Sequence, residues 1–255
     1  MTLLAVDVGN TQTHIGAFEG AELIHSWRLA TRAQATEDEL GIAIGGLVAS
    51  QGLGFDGIDG AIVSSVVPRL GPSYERMTRR YPGCRFLLVG SGVKTGMAIR
   101  IDNPRELGSD RLVNAVAAYE RFGGRCLAVD FGTSINFDAV SDAGEYMGGA
   151  IGPGLEVSMA ALTGRAARLP TIDLTDVGTA IGSNTADAIR SGFVLGFAGL
   201  VDGIASRAIG ELGRGTEVVA TGGLAHLIVP HCETIDEVDE ELTLTGLRLI
   251  WERNQ

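Results

Sequence analysis

Residues 3–11 read LLAVDVGNT, and residues 126–134 read CLAVDFGTS. Each has an apolar run, then Ala-Val-Asp, a bulky apolar residue, Gly, and small hydroxyl or amide side chains. Such a pattern reads as a short buried strand entering a tight turn. Asp7 and Asp130 close the two strands. A carboxylate at the end of a buried strand is costly unless it is paired or bound to a cation, so packing explains it poorly. Gly9 and Gly132 permit a tight turn. The backbone N–H groups and side chains of Asn10, Thr11, Thr133 and Ser134 can hold anion oxygens while the aspartate faces a cation. Either turn alone could be an ordinary hairpin with an Asx-type turn. Two of them, each opening a half of similar length, weaken that explanation.

Outward from the first turn, Thr13–Phe18 and Glu22–Leu29 are expected strands. Thr36 and Glu39 form a capping box ahead of a helix carrying Leu40, Ile44, Leu47 and Val48. AIVSSVV (61–67) and FLLVG (86–90) read as buried strands. Ser109 is expected to cap a helix with Leu112, Val113, Val116 and Tyr119 on its apolar stripe, ended by Gly123-Gly124. The second half restarts with strands at 126–131, around 135–140 and at 145–151, with Tyr146 and Met147 expected in the core. Helices follow, then a strand at Glu217–Ala220 and a final helix at Leu242–Arg253. The halves are divided near residue 120, as 1–120 and 121–255, with no Pro/Ser-rich or charged linker between them. Gly52-Leu-Gly54-Phe-Asp-Gly57 matches GxGxxG, but it follows a helix and precedes a strand. That is the reverse of the dinucleotide fingerprint, so the glycines read as a helix end and turn.

The chain has 255 residues, is 45% hydrophobic, and carries a net charge of −11. That balance disfavours nucleic acid as the main partner, since phosphate neutralisation needs clustered Lys and Arg. It still allows an anionic ligand held by backbone N–H groups and metal ions. Cys84, Cys126 and Cys232 are odd in number and widely spaced, which points to reduced thiols. No signal-like segment and no long apolar run is evident, so a soluble cytoplasmic protein without membrane contact is expected. P-loop and HExxH motifs are absent.

With its motifs taken together, the chain resembles the type III pantothenate kinases, members of the actin, hexokinase and heat-shock ATPase superfamily. The resemblance rests on six motifs in one order: DVGNTQT (7–13), DNPRELGSDR (102–111), DFGTSINFD (130–138), GGAIGPG (148–154), NTADAI (184–189) and TGG (221–223). It implies an α/β fold of two related actin-like (ribonuclease H-like) half-domains facing each other across a nucleotide cleft. It implies that Asp7, Val8, Gly9, Asn10, Thr11, Gln12, Thr13 and His14, with Thr133, contact ATP, and that Asp7 helps to hold Mg²⁺ through the phosphates. Gly108, Ser109, Asp110, Arg111 and Thr185 would contact pantothenate, with Asp110 as the catalytic carboxylate. Asp130 matches the position tied to a monovalent cation, potassium or ammonium. A homodimer is implied as well.

From the residues alone, Asp110 sits in a first helical turn, where the macrodipole favours an anion. It could orient a substrate hydroxyl, or it could be a helix-end charge paired with Arg111 or Arg105. Arg111 could hold a carboxylate or a surface salt bridge. Two positions depart from the family: Ile101 replaces a frequent Tyr, and Ser134-Ile135 replace an Ala-Thr-Thr run. The expected reaction is ATP-dependent phosphorylation of pantothenate, opening coenzyme A synthesis. The competing readings are a non-catalytic or regulatory relative that binds nucleotide without turnover, and a kinase for another small alcohol such as a sugar.

Overall fold

In the computed structural model, which describes residues 1–166 and 169–255, the chain opens with β1 (Thr2–Val8), β2 (Gln12–Glu19) and β3 (Glu22–Ala30). Then come α1 (Glu37–Ser50), β4 (Ile58–Ser65), α2 (Leu70–Arg80), β5 (Arg85–Leu88), β6 (Ala98–Ile99) and α3 (Ser109–Phe122). The second series is β7 (Cys126–Phe131), β8 (Ser134–Val140), β9 (Glu145–Pro153), α4 (Leu155–Arg165), α5 (Thr185–Leu212), β10 (Glu217–Thr221), α6 (Ala225–Ile228), β11 (Glu237–Val238) and α7 (Leu242–Glu252). One compact unit holds Met1–Met97, Asn103–Ala117 and Leu242–Gln255; the other holds Ala98–Asp102 and Ala118–Glu241.

In the first unit the sheet order is β3-β2-β1-β4-β5. β1 runs antiparallel to β2 and parallel to β4. Leu3 to Val6 are all buried, as a strand covered on both faces requires. On one face Leu4, Val6 and Val8 pack with Leu40 and Ile44 of α1 and with Leu70, Tyr74 and Met77 of α2. On the other lies α7, whose Leu244 fills the space beside Gly16 and whose Trp251 ring lies against Gly60; a side chain at either glycine would collide with it. The capping box forms: Thr36 Oγ1 accepts from Glu39 N–H, and Glu39 accepts from Thr36 N–H.

The second unit repeats this plan. Its sheet order, β11-β10-β7-β8-β9-β6, is the order of the first sheet with β6 added. β7 runs antiparallel to β8 and parallel to β10, as β1 does to β2 and β4. Its core joins Leu127, Val129, Phe131, Ile135 and Phe137 to Val194, Phe197, Val201 and Ala205 of α5, a helical i, i+3, i+7, i+11 stripe.

Several expectations shift. Ser109 lies inside the first turn of α3, and its hydroxyl pairs with Ser64 instead of capping. Tyr146 is buried but Met147 is 45% exposed, because successive residues of β9 face opposite ways. Residues 242–255 belong with the first unit, because α7 buries its apolar stripe on β1 and β4; the unit boundary otherwise falls at residue 117, inside α3. The 28-residue α5 is long and apolar enough to cross a membrane by length and composition. Its Val194–Val201–Ala205 stripe is nevertheless buried against the second sheet. Gly52 ends α1 at φ +76°, which accounts for the GxGxxG match as a helix stop.

Candidate active site

The first turn is closed by Gly9 N–H donating to the Gln12 carbonyl at 3.0 Å. A Cβ on Gly9 would lie 2.8 Å from that oxygen, so only glycine fits. Asn10, Thr11 and Gln12 are exposed, and the carbonyl of Thr11 accepts from Thr31 N–H at 2.8 Å, pinning the turn to the end of β3. Strand alternation divides the flanking residues. Val8 is fully buried, so any contact from it to a ligand runs through its backbone. Thr13 also faces the core: its hydroxyl lies 2.9 Å from that of Thr31 and bonds the Tyr74 phenol. Burial pushes that phenol up to about 12. Asp7 points to the other face, with His14 beside it in the antiparallel register and Ser64 in the parallel one.

Ser64 links this strand to the start of α3. It is fully buried, and its hydroxyl lies 2.9 Å from that of Ser109. The next residue is Asp110. Its carboxyl is folded back over Gly108, where a Cβ would come within 2.5 Å of Asp110 Oδ1. Burial raises the Asp110 carboxyl above its ordinary value of 3.8, while a hydrogen bond from the Arg111 backbone and the Arg111 guanidinium pull it partly back. Desolvation therefore outweighs the helix-end field expected to keep this group a weak base. A raised carboxyl at a helix start suits a proton acceptor better than a surface ion pair does. The first unit thus gathers Asp7, His14, Ser64, Gly108, Ser109 and Asp110. Ser64 was legible only as a polar interruption in AIVSSVV; its role needed the packing of α3.

The second turn is one residue shorter. Gly132 N–H donates to the Ser134 carbonyl at 3.0 Å, and Gly132 and Thr133 are exposed. Asp130 stands between Asn136 and Thr221 in register. Gly222, at φ +97°, approaches so closely that a Cβ would lie 2.6 Å from Asp130 Oδ1 and from the Phe131 carbonyl oxygen. Gly154 N–H donates to the Thr133 carbonyl at 3.1 Å, and Gly154 is the residue from which α4 starts. A Cβ there would run into that carbonyl and lie 2.5 Å from that of Gly132. The glycines of GGAIGPG and TGG thus bring DFGTS, a helix N-terminus and the end of β10 into one cluster, an arrangement suited to phosphate oxygens.

Thr185 is the exposed first residue of α5. Its motif, NTADAI, builds that helix start: Asn184 accepts from Asp187 N–H at 3.0 Å and donates to Asp187 Oδ2 at 2.7 Å, and Arg190 pairs with Asp187 at 2.8 Å. Arg105 falls in the exposed 3₁₀ turn Pro104–Glu106, closed by Asn103. Among the described residues no group of three or more His, Cys, Asp or Glu converges as a metal cage would.

Residues 3–207 match the family model described as type III pantothenate kinase. The type III pantothenate kinase of Anaeromyxobacter sp. (strain Fw109-5) is 52% identical over 253 residues, covering 99% of this chain and 100% of the relative. That of Myxococcus xanthus is 49% identical over 252 residues, covering 99% and 98%. Among solved structures, the inorganic polyphosphate/ATP-glucomannokinase of Arthrobacter sp. strain KM aligns with a TM-score of 0.53 at 14% identity, covering 100% of this chain and 99% of that one. At that identity the likeness speaks to the fold alone, an α/β actin-like architecture.

Proposed function

This chain belongs to the type III pantothenate kinase family, and from that premise we propose how its residues divide the transfer of phosphate from ATP to pantothenate. The observation that carries the reading is Asp110: a desolvated carboxyl at the start of α3, joined through Ser109 and Ser64 to the strand beside Asp7. Phosphoryl transfer passes through a loose transition state, so positioning and charge neutralisation supply most of the catalysis. Asp110 accepts the proton of the pantothenate primary hydroxyl as that oxygen bonds to the γ-phosphorus and the bond to ADP breaks. Gly108, Ser109 and Arg111 hold the same substrate, Arg111 through its carboxylate, and Thr185 contributes a further hydroxyl.

The exposed turn 9–12 and its backbone N–H groups receive the phosphates, with His14 beside Asp7. A family kinase implies a divalent ion, and the donor set fits one: a single carboxylate, Asp7, is enough for magnesium held mainly by phosphate oxygens and water. Magnesium, when bound, neutralises charge on the transferring group. Thr133 contacts the nucleotide from the second turn, and Asp130 holds a potassium or ammonium ion. Ile101, packed near Gly148, contributes no hydroxyl, so substrate contact there is apolar. A cytoplasmic location follows from this substrate pair.

The test is coupled ADP release with pantothenate, against a panel of sugars and polyols, in Tris or sodium alone and then with potassium or ammonium. ADP release is expected with pantothenate only, and only once potassium or ammonium is present. Background rates under every cation would leave nucleotide binding without turnover as the reading. A rate indifferent to potassium would remove the assignment of Asp130.

Homodimerisation is part of the same proposal. Met147 and Ile151 of β9 and Val157 and Leu162 of α4 are exposed apolar residues, 45%, 65%, 47% and 37% accessible. We assign these four side chains to the dimer face, since an exposed apolar patch marks an association surface. Equilibrium sedimentation should give twice the 26.6 kDa chain mass; Ile151→Asp should return it to one. A wild-type mass of one chain would refute the dimer.

A further inference from the structure

On the face of the first sheet opposite Asp7 lies a cavity of about 380 Å³. Its walls come from β2, β3, α1 and α2: Leu29, Leu40, Ile42, Ala43, Leu70 and Tyr74. This volume and this mix of apolar walls with a few converging polar groups are those of a small-molecule site. The polar groups sit at opposite ends. Inside are the Thr13 and Tyr74 hydroxyls, bonded to one another. At the mouth are Arg32 and Glu39, both exposed.

The two mouth charges are not equivalent. The Glu39 carboxylate is engaged by α1, accepting from Thr36 N–H at 2.9 Å and from the Thr36 hydroxyl at 3.0 Å. Those bonds hold it ionised below its ordinary value, with a smaller contribution from Arg32. Its place is fixed by helix capping, whereas Arg32 has no such structural duty. In a chain of net charge −11, a guanidinium at the mouth of an apolar cavity selects for an anion.

We propose that this cavity is a second small-molecule site that takes a monoanionic amphiphile. The hydrocarbon body lies on Leu29, Leu40 and Leu70, and the carboxylate meets Arg32. The inner end rests on Thr13, the residue that follows the exposed turn 9–12, so the occupant sits directly behind that turn. The site is separate from phosphoryl transfer and does not depend on which acceptor the enzyme uses.

The probe is octanoate, with 1-octanol as its uncharged counterpart, titrated calorimetrically into the full chain. Octanoate is expected to saturate one site with a Kd on the order of 0.1–1 mM, and octanol to bind about tenfold more weakly. Arg32→Gln should weaken octanoate about tenfold and leave octanol unchanged, since a charge-assisted contact is lost. Ala43→Trp fills the cavity and should abolish both; Ala35→Leu, a smaller filler, should weaken both by at least about tenfold. A circular-dichroism spectrum and a cooperative melt matching wild type show that each variant is folded, and a filler that fails this check is replaced by the other. No saturable octanoate binding, equal binding of octanol and octanoate, or unchanged binding in a folded filler variant would each overturn the site.

Discussion

Asp110→Asn is expected to lower turnover by about 10²–10⁴-fold while raising thermal stability at neutral pH. The substitution keeps size and hydrogen-bonding shape but removes the group that takes the hydroxyl proton. ATP affinity should barely change, because the nucleotide is assigned to the turns at Asp7 and Asp130. The stability effect has the opposite sign from an ordinary loss of charge. Burial holds the Asp110 carboxyl above 3.8 in the folded protein. A carboxyl raised by folding contributes its stability in full below the ordinary value and loses it as pH rises through the folded one. At neutral pH the ionised side chain is therefore a cost that asparagine avoids. The gain in Tm should be widest near pH 7 and shrink as pH falls toward the ordinary value of 3.8, as protonation of the wild-type group removes the difference. Glu240→Gln, at an exposed position, serves as the control and should match wild type. If Asp110→Asn keeps more than about a third of wild-type turnover, a loss far short of that range, or loses stability at neutral pH, Asp110 is a structural helix-end charge.

Gly154→Ala should act on nucleotide use through the second turn. The added methyl would meet the carbonyl oxygens of Thr133 and Gly132. Both are backbone atoms, so no side chain can swing aside, and the turn or the start of α4 has to move. Overpacking of this kind costs about 1–3 kcal/mol. Expressed in nucleotide binding, that is about a 5- to 150-fold rise in the KM for ATP, with a much smaller change in the KM for pantothenate. Gly164→Ala, in the same helix with nothing near the new methyl, should leave both constants unchanged. It should add up to about 1 kcal/mol of stability through helix propensity. An unaltered KM for ATP in Gly154→Ala would detach the second turn from nucleotide binding.

The doubled Asp-x-Gly turn was legible because it is local: alternation, a glycine and an aspartate within nine residues specify a strand and its turn. β7 spans the expected residues 126–131, and the Thr36–Glu39 capping box forms as expected, since an apolar run bounded by a turn and a cap three residues long are both local signals. The repeated strand order was implied by the repeated turn and its matching order of elements. Three features needed tertiary structure. Helix α5 carries glycines at 192, 196, 199, 203 and 210, which lower helix propensity locally; burial of Val194, Val201 and Ala205 outweighs them. The place of α7 was hidden because an amphipathic helix announces an apolar stripe but not the sheet that will cover it. The site itself was legible as residue types and opaque as geometry. That Ser64 joins Asp7's strand to Asp110's helix, that Gly154 and Gly222 close around the second turn, and that Thr13 turns away to line a cavity all follow from registers and approaches between segments far apart in the chain. Desolvation sets the direction in which the Asp110 carboxyl shifts, and desolvation exists only once α3 is packed.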